Sequence, residues 1–286
     1  MADAAAYLRH VEKVCAMARE RGRRPMLWAD FALRHPEALK ALPKDVVALD
    51  WGYEGMHPFS SEAAELAAAG LEFYVCAGTG AWNSLTGRLE NMRENFAAAE
   101  AAGRNFGAKG FLVADWAGTG HWQPLAASLP GLVLGGFTSE QGATAARMNL
   151  EETLDAVMGA PLGGVLLRLG TLYLRGGALR PGCTELYRIL AADRGYSRHP
   201  GLTDPILSEI SSVAEGCRHD ARKYSSCAFP NIWAEEIAFM ANLVDAACHR
   251  RDGGRLKALR AEHEHVWRLR YREGGLKESL ALLPRF

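Results

Sequence analysis

The chain has 286 residues, 49% of them hydrophobic, and its 33 Lys and Arg are balanced by 33 Asp and Glu. This supports a sizeable core in one large or two smaller domains, and the balanced charge gives no basis for nucleic acid or an anionic membrane surface as a partner. No apolar run approaches the roughly 20 residues of a membrane span, and the first residues lack a basic head followed by an apolar block. Six cysteines without CxxC spacing (Cys15, Cys76, Cys183, Cys217, Cys227 and Cys248) point to reduced thiols in a cytoplasmic protein.

Residues 4 to 20 place Ala5, Leu8, Val11, Val14, Cys15 and Ala18 at helical spacing, and Gly22 ends the run. "RPMLWAD" (24 to 30) is short, apolar and bounded by Pro25, which predicts a buried strand. "DVVALDW" (45 to 51), "LEFYVCA" (71 to 77) and "GFLVADW" (110 to 116) repeat the form. Helical segments are predicted between them at about 36 to 42, 60 to 69 and 84 to 106. Strands that alternate with helices pair in parallel, so the first half reads as α/β. From about Leu150 the periods are helical throughout, with Gly- and Pro-bearing connections such as "RGGALRPGC" and "RGYSRHPGLTDP". The expected division is an α/β domain over 1 to 146 and a helical domain over 147 to 286.

The strand ends share a chemistry. Trp28 and Asp30 close the first, Asp50 and Trp51 the second with Glu54 just beyond. Trp82 follows the third after "GTG", and Asp115, Trp116 and His121 follow the fourth. Ligands of parallel α/β proteins sit at the carboxyl ends of the strands, so these side chains are expected on one rim. Indoles that pack on pyranose C–H faces, with carboxylates that accept from hydroxyl pairs, make a sugar site. Four βα units are half of an eight-stranded barrel, and a half barrel leaves two strand edges open.

Other chemistries lack their spacing. The two GTG runs have neither GxGxxG nor GxxxxGK[ST], so no nucleotide is expected, and no GxSxG or Ser-His-Asp order stands out. His263 and His265 are two apart, which does not place them on one helix face for a metal. No cofactor and no metal are expected. The basic runs "RERGRR" and "HRRDGGR" have acidic neighbours and read as solvated faces.

"RPMLWADFALRHPEALKALPKDVVALDWGYE", "FYVCAGTGAWNSLTGRLENM" and "GFLVADWAGTGHWQPLAASLPGL" together resemble the second half of the barrel of family 20 glycoside hydrolases, the β-N-acetylhexosaminidases. "LGTLYLRGG", "CTELYRIL" and "EHEHVWRLRYREGGLKESL" resemble the helical C-terminal region of a bacterial branch of that family. The resemblance implies a partial (β/α)8 barrel, strands 5 to 8, followed by a helical region. It implies retaining hydrolysis of terminal N-acetylglucosaminides or N-acetylgalactosaminides, with the substrate's own acetamido oxygen as nucleophile.

By the same resemblance Trp28, Trp51 and Trp82 wall the N-acetyl group and ring, while Asp115, Trp116 and His121 hold the distal part of the sugar. Two residues past the strand 8 Trp, where the family carries an acid for sugar hydroxyls, this chain has Gly118. The family's acid and its helper are an Asp-Glu pair at the end of strand 4, and no Asp-Glu dipeptide occurs in the chain. That pair is expected upstream of Met1, which makes the chain a fragment that is inactive alone. The alternative is a non-catalytic carbohydrate-binding or assembly half barrel, completed by a separate N-terminal half or by a second copy.

Overall fold

The structure, a computed structural model, describes residues 4–177, 179–191, 197–225, 231–249 and 252–283; Cys227 lies outside them. The chain divides into two compact units, one of Met1–Gly78, Met92–Ala114 and Gly135–Arg147, the other of Thr79–Asn91, Asp115–Leu134 and Met148–Phe286. Among the described residues no helix is long and apolar enough to cross a membrane.

The first unit is α/β. Its elements run α1 (Ala4–Arg19), β1 (Met26–Trp28), α2 (Asp30–Leu33), α3 (Pro36–Ala41), β2 (Val47–Trp51), α4 (Phe59–Ala68), β3 (Glu72–Gly78), α5 (Leu89–Phe106) and β4 (Gly110–Ala114). The strands form a four-stranded sheet in the order β1-β2-β3-β4, parallel throughout. Side chains alternate across a strand, and the register Leu27↔Ala48, Ala48↔Phe73 and Val75↔Phe111 puts these residues on one face. That face meets the helices: Phe111 packs edge-on to Phe96 of α5 with ring centroids 5.7 Å apart, and Gly103 of α5 lies directly over Val75. Burying Phe73 and Val75 there contributes about 1.5–3 kcal/mol each. The opposite face carries Met26, Trp28, Leu49, Trp51, Tyr74 and Leu112, and Met26 and Trp28 are exposed.

The strand ends are tied by one amide. Asn95 of α5 is fully buried; its Nδ2 donates to the carbonyls of Gly52 and Glu54, at 3.0 and 2.9 Å, and its Oδ1 accepts from Gly78 N at 3.0 Å. The loop leaving β2 and the end of β3 are held by the same side chain. Gly22 closes α1 in the left-handed region at φ +64°, as its place after the helical run predicts.

Two elements differ from the sequence-based expectation here. Asp30 does not close β1 but opens the short helix α2, where Arg34 Nη2 donates to its carboxylate at 2.8 Å, an i,i+4 pair. The long helix begins at Leu89 rather than Ser84. Residues 84 to 88 make a buried turn instead, in which Ser84 Oγ donates to Ala81 O and accepts from Gly87 N. A further helix, α6 (Leu125–Gln141), has Pro130 in its interior and mixed small residues, which mask its period.

The second unit is mostly helical: α7 (Leu150–Met158), α8 (Gly163–Gly170), α9 (Glu185–Ala191), α10 (Asp204–Arg222), α11 (Ile232–Cys248), α12 (Gly253–Arg270) and α13 (Leu276–Leu282). Asn149, Asn231 and Asp252 cap α7, α11 and α12 by accepting from backbone N–H groups of the first turn. This region is not wholly helical, because β5 (Leu179–Arg180) and β6 (Cys183–Thr184) form a small antiparallel hairpin whose turn contains Gly182 at φ +69°. Two-residue strands are too short to leave a period-2 pattern. Glu236 of α11 is fully buried and accepts from Arg270 Nε at 2.7 Å and from Ala126 N at 3.1 Å. Burial pushes its carboxyl up, and Arg270 and the Ala126 N–H pull it back.

Candidate functional site

The eight residues singled out by sequence fall in both units, four in each. In the first, Trp28 and Trp51 lie at the carboxyl ends of adjacent strands. The register Trp28↔Leu49, with Trp51 two residues on, puts both on the face away from the helices. Trp28 is 44% exposed, and Trp51 is half-buried with its ring 5.0 Å from that of Tyr53. Neither indole is needed to fill the core.

Asp30 and Glu54 meet one of the two indoles, Trp51, in a cleft beside the strand ends. The cleft, of about 530 Å³, is also lined by Asp50, His57, Glu62 and Glu65, where α2 and α4 rise from the sheet. Asp50, at the end of β2, is the one carboxylate on the helix-covered face of the sheet. Burial and the neighbouring Glu62 push its carboxyl up to about 8. Burial also pushes Glu62 up, but the hydrogen bond to His57 and the neighbouring Asp50 carboxyl outweigh this and hold it below the ordinary carboxylate range. The Cys76 thiol is driven up to about 11 by burial and by Asp50.

In the second unit, Asp115 is exposed and its Oδ1 accepts from Thr79 Oγ1 at 2.5 Å and Ser128 Oγ at 2.9 Å, so its position is fixed by two hydroxyls. Trp116 is 53% exposed, whereas Trp82 is buried. Gly118, at φ +65°, leaves no room for a side chain: a Cβ there would lie 2.6 Å from Asn83 Oδ1 and 2.9 Å from Asn83 N. The missing acid at this position is therefore a backbone constraint, since any side chain strikes the neighbouring loop. Asn83 Oδ1 in turn accepts from Thr119 N at 2.9 Å.

His121 sits at φ +47° with its ring edge-on to Trp267 and Tyr271, at 5.6 and 5.2 Å. Burial depresses its basicity, partly offset by a backbone hydrogen bond and by Asp115. Trp122 is core, buried against Tyr187 with Nε1 donating to Ser279 O at 3.2 Å.

His57 and Glu62 carry no signal in the sequence-based reading, which followed strand ends and indoles. The available signal was local: an acid at a strand end, a His seven residues on and a Glu five beyond it, spanning a Gly-bearing loop into a helix start. No family model matches the chain, and no curated protein matches it as a relative.

Proposed function

We propose that β1 to β4 are strands 5 to 8 of a (β/α)8 barrel of the family 20 glycoside hydrolase type. The sheet face opposite α5 binds the terminal N-acetylhexosamine of a β-glucosaminide or β-galactosaminide. One observation carries this reading: Trp28 and Trp51 stand on that face, at the carboxyl ends of adjacent parallel strands, with Trp28 44% exposed. In such barrels the face away from the helices points inward and the carboxyl ends form the mouth where ligands sit. Exposed indoles there are platforms for a pyranose ring and an acetamido methyl.

The chain's part in the reaction is positioning. In substrate-assisted retention the acetamido oxygen closes on the anomeric carbon while the leaving oxygen takes a proton. Indoles packed on the N-acetyl group hold that oxygen in line and keep water from the ring. No Asp-Glu pair occurs in residues 1–286, so the proton-donating pair of that family is not among them.

The test is a titration of the chain with N-acetylglucosamine, followed by tryptophan fluorescence, on the wild type and on Trp51→Ala. A lost stacking contact of about 0.5–1.5 kcal/mol weakens binding roughly two- to twelvefold. Equal binding by both proteins, or none by the wild type, sinks the assignment.

A further inference from the structure

The helix-covered face of the β1 to β4 sheet is apolar except at Asp50. Asp50 is fully buried, and neither of its carboxylate oxygens has a hydrogen-bond partner among the described residues. A carboxylate in that position is strongly unfavourable unless it takes up a proton or a counter-charge is supplied. Among the described residues that line the cleft, the one guanidinium, Arg34, is engaged by Asp30 at 2.8 Å.

What faces Asp50 is a nitrogen and another carboxylate. One oxygen of Asp50, one ring nitrogen of His57 and one carboxylate oxygen of Glu62 all lie within 4.8 Å of one another, and His57 Nε2 is 2.8 Å from Glu62 Oε2. The backbone is built for this approach. The His57 ring lies over Gly52, where a Cβ would come within 2.1 Å of Cγ and Cδ2, and its edge is braced by Phe59, ring centroids 4.5 Å apart at 73°. Glu62 comes from the first turn of α4, one helical start after the loop that carries His57.

We propose that Asp50, His57 and Glu62 bind a divalent first-row cation, zinc in the first instance, in the wall of the 530 Å³ cleft. The donor set decides the class. One imidazole and two carboxylates suit zinc or manganese, whereas calcium and magnesium take oxygen alone and copper(I) takes sulfur. Bonds of about 2.0–2.2 Å put the donors of a tetrahedral or octahedral shell roughly 3–4.3 Å apart, so closing on an ion draws a pair at the outer limit in by roughly 0.5–1.5 Å. Two carboxylates neutralise the ion, and the remaining coordination positions open on the cleft. Trp51 also lines this cleft, but the three donors are not the indoles proposed to hold the sugar, so the site stands whether or not those bind it.

The experiment uses the full chain stripped with a chelator, with Zn²⁺ followed by calorimetry and Co²⁺ by its visible spectrum. The wild type is compared with Asp50→Asn and His57→Gln, and each protein's fold is checked by circular dichroism. The expected result is one ion per chain, a Co²⁺ spectrum without a thiolate charge-transfer band, and binding weakened by more than about tenfold in each variant. His57 is partly exposed, so its substitution keeps the test valid if Asp50→Asn disturbs the sheet. Failure of the wild type to bind overturns the proposal and leaves Asp50 and Glu62 as a carboxyl pair sharing one proton. Undiminished binding by both variants, or a thiolate band, overturns it by placing the ion elsewhere.

Discussion

His263 is the clearest case in which a single side chain sets a solution property. It is buried on α12, stacked on Phe239 at 5.5 Å, and its Nε2 is 2.8 Å from Ser279 Oγ. Burial, with the charges of His121 and Arg260, lowers its basicity to about 4. In the unfolded chain it titrates near 6.5, so above that pH both states are neutral and no difference arises. As pH falls from 6.5 toward 4 the unfolded state takes the proton first, and stability drops by up to about 1.4 kcal/mol per pH unit. Urea midpoints at pH 7.5 and pH 5 are expected to differ less in His263→Gln than in the wild type; an unchanged difference removes His263 as the cause. Sequence reading weighed His263 only as a metal ligand. Its burial was hidden because the charged residues around it in "AEHEHVW" suggest an exposed face.

The elements themselves were largely legible. The four strands and the helices α1, α3 and α4 follow from apolar runs, alternation and Gly or Pro punctuation, and their bounds agree within a few residues. What was not legible is long-range polar bonding, for which local periodicity carries no information. Asn95 shows this: in sequence it is one polar residue in a helical run, in the fold it joins the ends of β2 and β3 to α5. Asn95→Leu leaves two carbonyls and one N–H without their partner, each worth about 1–3 kcal/mol when buried. Chemical denaturation is expected to show a loss of at least about 3 kcal/mol. A loss under about 1 kcal/mol means that water reaches these groups and the amide is not the tie.

At the scale of the whole chain, composition separated an α/β part from a helical part, and the structure has both. Contacts are not ordered along the sequence, however. Residues 79–91 and 115–134 cluster with residues 148–286, through bonds such as Thr86 Oγ1 to Leu169 O and Tyr187 Oη to Thr119 O. Of the candidate site, the acids and indoles at the strand ends were visible as residue types. Which of them are core (Trp82, Trp122), which are pinned by hydroxyls (Asp115) and which lie close to a helix carboxylate (Asp50) depended on packing. Function at this scale is expected to be binding without turnover. The purified chain should not release the aryl group from an aryl N-acetylglucosaminide, since loss of acid catalysis costs on the order of 10² to 10⁴ in rate. Turnover that disappears in Asp115→Ala contradicts this and makes a local carboxylate the acid.

The thiols have a practical meaning of their own. Cys76 is driven up to about 11 and Cys248 to about 12 by burial, so neither offers a thiolate to an alkylating reagent at neutral pH while its surroundings are closed. Cys76 belongs to the first unit and Cys248 to the second. Pulse alkylation read by peptide mass therefore gives each unit its own clock, timing how often either one opens without any label having to be engineered in.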